Sequence, residues 1–412
     1  MIQSKYNFSV QQENFVLLYN SASGNCIVLS KSEYHNLLTN KTSKEQLLKY
    51  QELGFLVDKD YDETKALFDR SKVLLSNRKK QKFRILTTTA CNAKCPYCYE
   101  RGVEICSMDE QMAISVAKFI LEQSRNMRTI EIEWFGGEPL LNIKAIDTIS
   151  KYIKKNKKNS LKYETSIITN GYLIDNETIV KMKTHWNTYQ IQITLDGLQE
   201  EYEKIKGLGS NSFIKVIQNI ENVVNAGIKV NIRLNFDNRN IKELKKLVEY
   251  LSLQKFANKV YVYPAKINDM QQSDKFALEQ ETIYMYDTLH DNGFLTKLQL
   301  LPRTMKTPCA AIHNGYFTIN ANGQLFKCDR KLLNKNSIGT VEQPSKINYE
   351  VVSEWEKSKL PQKCIECKLL PLCWGGCVYD RLNNLDKCGI TIKIVENNIN
   401  LILSDYLKDI AK

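Results

Sequence analysis

From residue 82 onward the chain alternates between two kinds of pattern. Runs rich in β-branched and aromatic residues at 82–88, 129–134, 163–169, 189–194, 229–234 and 258–263 read as strands. Stretches with helical periodicity at 109–124, 142–156, 175–183, 212–226 and 240–253 separate them. Strands joined through helices pair in parallel, with right-handed crossovers. The alternation therefore sets the class as α/β and predicts a parallel sheet that can curl into a full or partial barrel. Sites in such folds lie at the carboxyl ends of the strands.

The flanks differ. Residues 1–75 read as a small α/β unit, with strands near Phe15–Leu18 and Cys26–Leu29 around a Ser-Ala-Ser-Gly turn. Ser30 or Ser32 can cap a helix toward Leu38, and Ser43 opens a second that ends at Gly54. Phe55–Val57 reads as a closing strand, and 61–80 as a helix ending in the basic linker Arg78-Lys79-Lys80. Another helix is expected over 275–292. From about 301 periodicity fades and cysteines dominate, so metal rather than a large apolar core should hold this part. The expected division is 1–75, 76–300 and 301–412, the last with a C-terminal helix. A length of 412 suits two or three domains at roughly 150 residues each.

Twelve cysteines stand against four histidines. The N-terminus, MIQSKYNFSVQQEN, is too polar for a secretory signal, and no apolar run approaches the ~18 residues of a membrane helix. A cytoplasmic location without a membrane partner is the expectation. Thiols there bind metal rather than pair, and scarce histidine favours thiolate ligation. The net charge of +12 reads as a solvated Lys/Asn-rich surface. No basic stripe with interleaved aromatics is present, so no nucleic-acid partner is expected.

Cys91-Asn-Ala-Lys-Cys95-Pro-Tyr97-Cys98 follows the first strand of the series directly. Three thiolates on one loop can hold three irons of a [4Fe–4S] cluster and leave the fourth open to a chelating ligand. A zinc site short of one ligand is the alternative. The motif resembles that of the radical SAM (S-adenosylmethionine) superfamily, over roughly residues 82–300. The resemblance implies a partial (β/α)6 barrel, with SAM beside the cluster on Cys91, Cys95 and Cys98 and Tyr97 among the cofactor-binding positions.

Other stretches are similar to the same family. Gly136-Gly137-Glu138-Pro139 follows the second strand, where the family's motif meets the amino group of SAM. Glycines let a backbone approach closely, and Glu138 can accept from an ammonium. By itself the tetrapeptide also reads as a turn. Thr169-Asn170-Gly171 matches a position lining the SAM pocket, and is also a good turn. Thr194 and Asp196, in ITLDG, are similar to the family's S-L-D-G. Arg233 matches an arginine that pairs with the SAM carboxylate, a task suited to a bidentate guanidinium. A surface ion pair is the plainer reading of that residue. The family's H-D-x-x-R is not intact, and Tyr202, Glu203 and Lys206 stand at its positions.

The remaining pattern is Cys309-x13-Gly323-x4-Cys328, then Cys364-x2-Cys367-x5-Cys373-x3-Cys377, then Cys388. It resembles the seven-cysteine SPASM extension of radical SAM peptide-modifying enzymes, over about 301–395. One or two structural zinc sites are the alternative. The resemblance implies two auxiliary [4Fe–4S] clusters, three clusters in all. The outer one takes Cys364, Cys367, Cys373 and Cys388, and the nearer one takes Cys309, Cys328 and Cys377. No cysteine between Cys106 and Cys309 can complete the nearer set, so an open iron or a non-cysteine ligand is expected there. An open iron suits a substrate thiolate. Trp374-Gly375-Gly376 reads as a turn that wraps a cluster. Cys26, in an apolar strand, is expected to be buried. Cys106 has no partner at ligand spacing, and His35, His185, His290 and His313 are scattered.

The resemblance implies a radical SAM oxidoreductase acting on a peptide. An external flavodoxin- or ferredoxin-type donor would supply the electron for reductive cleavage of SAM. The resulting 5′-deoxyadenosyl radical would abstract hydrogen from the peptide, and the auxiliary clusters would accept an electron. The N-terminal unit is similar to the leader-recognition element of ribosomal-peptide maturases, which takes up a precursor's leader as an extra strand. A stabilising extension is the alternative. The roughly 80 residues before Phe83 favour a maturase forming a thioether or C–C crosslink over a sulfatase maturase oxidising Cys or Ser to formylglycine. A reading from another class is a non-catalytic iron–sulfur protein that binds peptides or carries electrons. The Cys91-Cys95-Cys98 triad opposes it, because a carrier would complete its cluster with a fourth cysteine.

Overall fold

The structure is a computed structural model that describes residues 1–76, 79–267, 279–313, 315–332, 336–385 and 387–411. Contacts divide the chain into two compact units, each built from separate stretches.

The first unit comprises Met1–Asn77, Gln272–Cys309 and Ser358–Lys412. It begins with β1 (Ile2–Gln3), β2 (Asn7–Gln12), β3 (Phe15–Asn20) and β4 (Cys26–Ser30). The strands β2, β3 and β4 form an antiparallel sheet in that order. β1 and β2 were not expected. β2 reads Asn-Phe-Ser-Val-Gln-Gln, and only its antiparallel hairpin pairing with β3 reveals it. Ser30 caps α1 (Lys31–Leu38) in a reciprocal capping box with Glu33. Ser43 caps α2 (Lys44–Glu52), and Gly54, at φ +84°, makes the turn into β5 (Leu56–Val57). β5 pairs with β1. The helix α3 (Glu63–Ser76) follows and stops short of the basic run. Of the helix expected over 275–292, residues 275–278 lie outside the described residues, and the rest runs Glu279–Asp291. The last helix, Ile392–Ile410, packs on β2 and β3, where Gln12 Nε2 donates to Asn400 Oδ1 at 2.6 Å. Tyr6, Leu67, Leu370 and Trp374 share one buried cluster, so the cysteine-rich segment packs directly on the N-terminal elements.

The second unit comprises Arg78–Gln271 and Ala310–Lys357. Its sheet holds β6 (Lys80–Thr88), β7 (Thr129–Gly136), β8 (Lys162–Thr169), β9 (Thr188–Leu195), β10 (Lys229–Phe236) and β11 (Val260–Lys266). These six pair in parallel and in chain order. Between them run α4 (Glu110–Gln123), α5 (Ile143–Asn156), α6 (Asn176–Thr184), α7 (Gln199–Lys206), α8 (Ser212–Asn225) and α9 (Ile241–Ser252). The series is open, not closed, as a partial barrel requires. Residues Ile85, Ile132, Trp134, Ile167, Ile193, Ile232 and Val262 are wholly buried along it.

Two features differ from the sequence reading. Lys80 belongs to the sheet, not to a linker, because Glu131 (2.8 Å) and Glu164 (2.7 Å) on β7 and β8 hold its ammonium. The region after 301 also adds strands to the same sheet. β12 (Phe317–Ile319) lies parallel beside β6, and β13 (Gln324–Phe326) and β14 (Gly339–Thr340) follow antiparallel. An Asn-Gly pair at 322–323 marks the hairpin, a signal the sequence carried. Gly323 sits at φ +73°, and a Cβ there would meet Met112 Sδ at 2.4 Å. Among the described residues no helix is long and apolar enough to cross a membrane.

Candidate functional site

The carboxyl ends of β6 to β11 open on one cavity of about 390 Å³. Cys91, Cys95 and Cys98 line it, on the loop that leaves β6. Cys91 and Cys98 are exposed and Cys95 is half-buried. Desolvation pushes the Cys91 thiol up to about 11, against a backbone N–H from Ala93. Such a thiol becomes a thiolate only when a metal displaces its proton.

Four attachments hold the loop. The Gly137 N–H donates to Thr88 O (3.1 Å), and the Glu138 N–H to Ala90 O (2.9 Å). Asn170 Nδ2 donates to Asn92 Oδ1 at 2.7 Å. The Lys94 N–H donates to Lys206 O at 2.7 Å. The glycines are needed for this approach. A Cβ on Gly137 would stand 2.2 Å from Ala90 O, and one on Gly136 would stand 2.2 Å from Thr88 O.

Gly136, Gly137, Thr169, Asn170, Thr194 and Arg233 line the cavity as expected, and Tyr97 reaches it too. Arg233 donates through Nε to Asn235 Oδ1 at 2.8 Å, and Asn235 is itself on the wall. Glu138 and Asp196 are placed differently. Both are fully buried beneath the cavity. Glu138 Oε1 accepts from Thr169 Oγ1 (2.8 Å) and the Leu140 N–H (3.1 Å), and Oε2 accepts from the Asn170 N–H (2.8 Å). Its carboxylate thus orders the Thr169–Asn170 turn instead of facing a ligand, and burial raises its pKa despite those bonds. Asp196 takes the Tyr97 hydroxyl at 2.5 Å and the Lys206 ammonium at 2.9 Å. Burial alone would lower the Lys206 pKa, but Asp196 and then Tyr97 hold it well above the usual amine value. The altered H-D-x-x-R segment therefore has a task. Tyr202 is wholly buried, and Lys206 anchors the cluster loop through its carbonyl and its ammonium.

The comparisons agree with this geometry. Residues 85–251 match the radical SAM superfamily. The chain carries a radical SAM domain. It is 25% identical over 325 residues to a cysteine-type anaerobic sulfatase-maturating enzyme of Clostridium novyi, covering 70% of this chain and 84% of that one. The structure of native anSMEcpe with bound AdoMet aligns at a TM-score of 0.61 and 18% identity, over 79% of this chain and 98% of the other. Streptococcus suis SuiB bound to precursor peptide SuiA aligns at 0.54 and 14%, over 94% of this chain and 97% of the other. At these identities the two structures establish the fold.

Within the radical SAM domain, the opposite wall of the cavity was missed from sequence. Arg84 on β6 pairs with Glu133 of β7 and, at 2.5 Å, with Asp329. Its guanidinium lies 5.0 Å over the Phe135 ring. The Tyr99 hydroxyl donates to Asp329 Oδ2 at 2.6 Å. Burial pushes the nearby Glu100 carboxyl up to about 7, with Asp329 adding and Arg84 opposing. The available signal was Arg84 and Glu133, charged residues inside otherwise apolar strand runs.

The other cysteines separate by unit. Cys364, Cys367, Cys373 and Cys388 ring one cavity of about 750 Å³ in the first unit. Cys309 and Cys377 lie in that unit too, and Cys328 lies in the second. Cys26 is half-buried on β4, less enclosed than expected, because β4 is a sheet edge. Cys106 lines a separate cavity of about 210 Å³ beside Thr89. Among the described residues no three His, Cys, Asp or Glu side chains converge on a single-ion site.

Proposed function

We propose that the chain is a radical SAM enzyme that modifies a ribosomally made precursor peptide, joining two of its side chains through a thioether or C–C bond. The observation that carries this reading is the extent of the SuiB likeness. A match over 94% of the chain must include most of the first 76 residues, whereas the anSMEcpe match, over 79%, leaves more of the chain out. SuiB is described with a precursor peptide bound. In the present chain β4 is the end strand of its sheet, while β2 at the other end is packed by the last helix. A leader peptide would add to β4 by backbone pairing.

The site fits the cofactors such chemistry needs. Three thiols share one loop, the cavity lies within the usual range for a small ligand, and the glycine pair admits a close backbone approach. When bound there, a [4Fe–4S] cluster and S-adenosylmethionine supply the carbon-centred radical that takes a hydrogen atom from the peptide, and further clusters accept an electron. The chain's own residues orient and shield. Arg233 would pair with the cofactor's carboxylate, and Thr169, Asn170 and Thr194, on the same cavity wall, would offer it polar edges. Glu138, Lys206 and Asp196 keep the loop in place from below. Asp329, held by Arg84 and Tyr99, is the carboxylate on the opposite wall. Cys364, Cys367, Cys373 and Cys388 would hold one auxiliary cluster. The electron donor is proposed to be a flavodoxin or ferredoxin.

The second reading, formylglycine formation on a sulfatase, draws on the Clostridium novyi relative. One experiment separates the readings. Anaerobically reconstituted protein is assayed for iron, sulfide and 5′-deoxyadenosine, then incubated with co-encoded short peptides and with a Cys-containing sulfatase peptide. Loss of two hydrogens from a short peptide supports the maturase. Formylglycine on the sulfatase peptide replaces it with the second reading. Loaded clusters without 5′-deoxyadenosine would favour an electron carrier.

A further inference from the structure

The cavity lined by four cysteines in the first unit carries several cations, Lys359, Lys363, Lys387, Lys393 and Arg381, and of these Arg381 is bonded to the turn that follows Cys373. Arg381 stands on the short helix Val378–Leu382 and lines the same cavity as Cys364, Cys367, Cys373 and Cys388. Its Nη1 donates to three successive carbonyls, Trp374 O (3.2 Å), Gly375 O (3.1 Å) and Gly376 O (3.1 Å). Its Nη2 donates to Ser358 Oγ at 3.0 Å. The turn it grips is unusual. Trp374, Gly375 and Gly376 all have positive φ, at 49°, 72° and 77°. Trp374 is fixed by a bond from Nε1 to Met305 O (2.8 Å) and by edge contact with Phe68. With the carbonyls turned to Arg381, the Gly376 N–H donates back to Cys373 O at 2.9 Å and closes the turn.

Arg381 and Cys364 also lie against the same glycine. A Cβ built on Gly375 would lie 3.5 Å from Arg381 Nη1 and 3.7 Å from Cys364 Cβ, so the two are near neighbours. Cys364, Cys377, Cys309 and Cys373 all act on its charge. One nitrogen remains. Arg381 Nε is buried and has no hydrogen-bond partner among the described residues. A buried N–H without an acceptor is costly. The possible acceptors on the same cavity wall include the Cys364 and Cys373 sulfurs.

We infer that Arg381 is a positioning residue that sets the reduction potential of the auxiliary cluster on Cys364, Cys367, Cys373 and Cys388. This rests on the proposed cluster assignment. A reduced cluster carries one more negative charge. A fixed guanidinium and an N–H from Nε both favour the reduced form, and charge and hydrogen bonds to sulfur are what set such potentials. Arg381 thus makes this cluster a better electron acceptor.

The test is an EPR-monitored redox titration of the full-length protein in which Cys91, Cys95 and Cys98 are alanine, so that only the C-terminal clusters report. Arg381→Met should lower one midpoint potential by at least a tenfold change in the reduction equilibrium, about 59 mV for one electron. Arg381→Lys, which keeps the charge, should lower it less. An unchanged potential in Arg381→Met with iron equal to the parent overturns the inference. If Arg381→Met loses iron, Arg381→Gln is titrated in its place, with the same expected shift and the same overturning result. Loss of iron from both neutral variants, with Arg381→Lys fully loaded at the parent potential, would show a purely structural clamp and also overturn it. Metal analysis of the parent comes first. Zinc, or iron for one cluster fewer, refutes the cluster assignment itself and the inference with it.

Discussion

Removing the Lys206 ammonium should loosen the radical SAM domain more than any surface change. Lys206 and Asp196 form a pair at 2.9 Å with side chains only 4% and 0% exposed. The Tyr97 hydroxyl is the other donor to this carboxylate. Lys206→Met keeps the length and apolar stem of the side chain and leaves a buried, half-satisfied charge. Breaking a buried pair in this way costs about 3–5 kcal/mol. For a unit of this size each kcal/mol lowers the midpoint by roughly 2–4 °C, so a fall on the order of 6–20 °C is expected. The assay is thermal unfolding of the cluster-free protein under reducing, anaerobic conditions, followed on the transition that melts the parallel sheet. Adding Asp196→Asn removes the stranded charge and should restore more than half of the loss. A single variant within about 2 °C of the parent, on that same scale, would refute the reasoning. So would a double variant less stable than the single one.

Three further outcomes follow from the same geometry. Gly137→Ala places a Cβ 2.2 Å from Ala90 O and must displace the cluster loop, so iron retention and 5′-deoxyadenosine yield should both fall while the fold survives by circular dichroism. Glu138→Gln replaces one acceptor oxygen by a donor against the Thr169, Leu140 and Asn170 bonds. It should cost about 1–3 kcal/mol in denaturant unfolding. Glu100, raised to about 7, binds its proton more tightly folded than unfolded. Stability should therefore decline as pH rises from about 4.5 to 7, by about 3 kcal/mol in total, and level off above. Glu100→Gln should flatten that decline in melting curves taken across the window.

Much of the molecule was legible in local pattern. Periodicity gave the six parallel strands and five of the six helices α4 to α9 to within a few residues, and missed α7. Ser30, Ser43 and Gly54 act where their capping chemistry says they should. Cys91, Cys95 and Cys98 line one cavity, and Cys364, Cys367, Cys373 and Cys388 line another. Spacing also brought Thr169, Thr194 and Arg233 to the correct strand ends. It failed wherever a role depends on direction rather than position. Glu138 and Asp196 occupy the expected loops, yet both turn beneath the cavity.

What the sequence by itself determined is therefore the chemistry of the ligands and the order of the strands, because both are encoded in short intervals along one chain. Only the tertiary structure decided which polar atoms face a ligand and which face each other. Lys206 meets Tyr97 across 109 residues, and Arg84 meets Asp329 from the other end of the domain. Arg381 was an ordinary cation in the sequence. Its grip on a left-handed turn, and the one nitrogen left without an acceptor, exist only once the four-cysteine ring has closed around it. Burial makes each of these contacts consequential, since a charge or N–H removed from water must find its partner inside the fold.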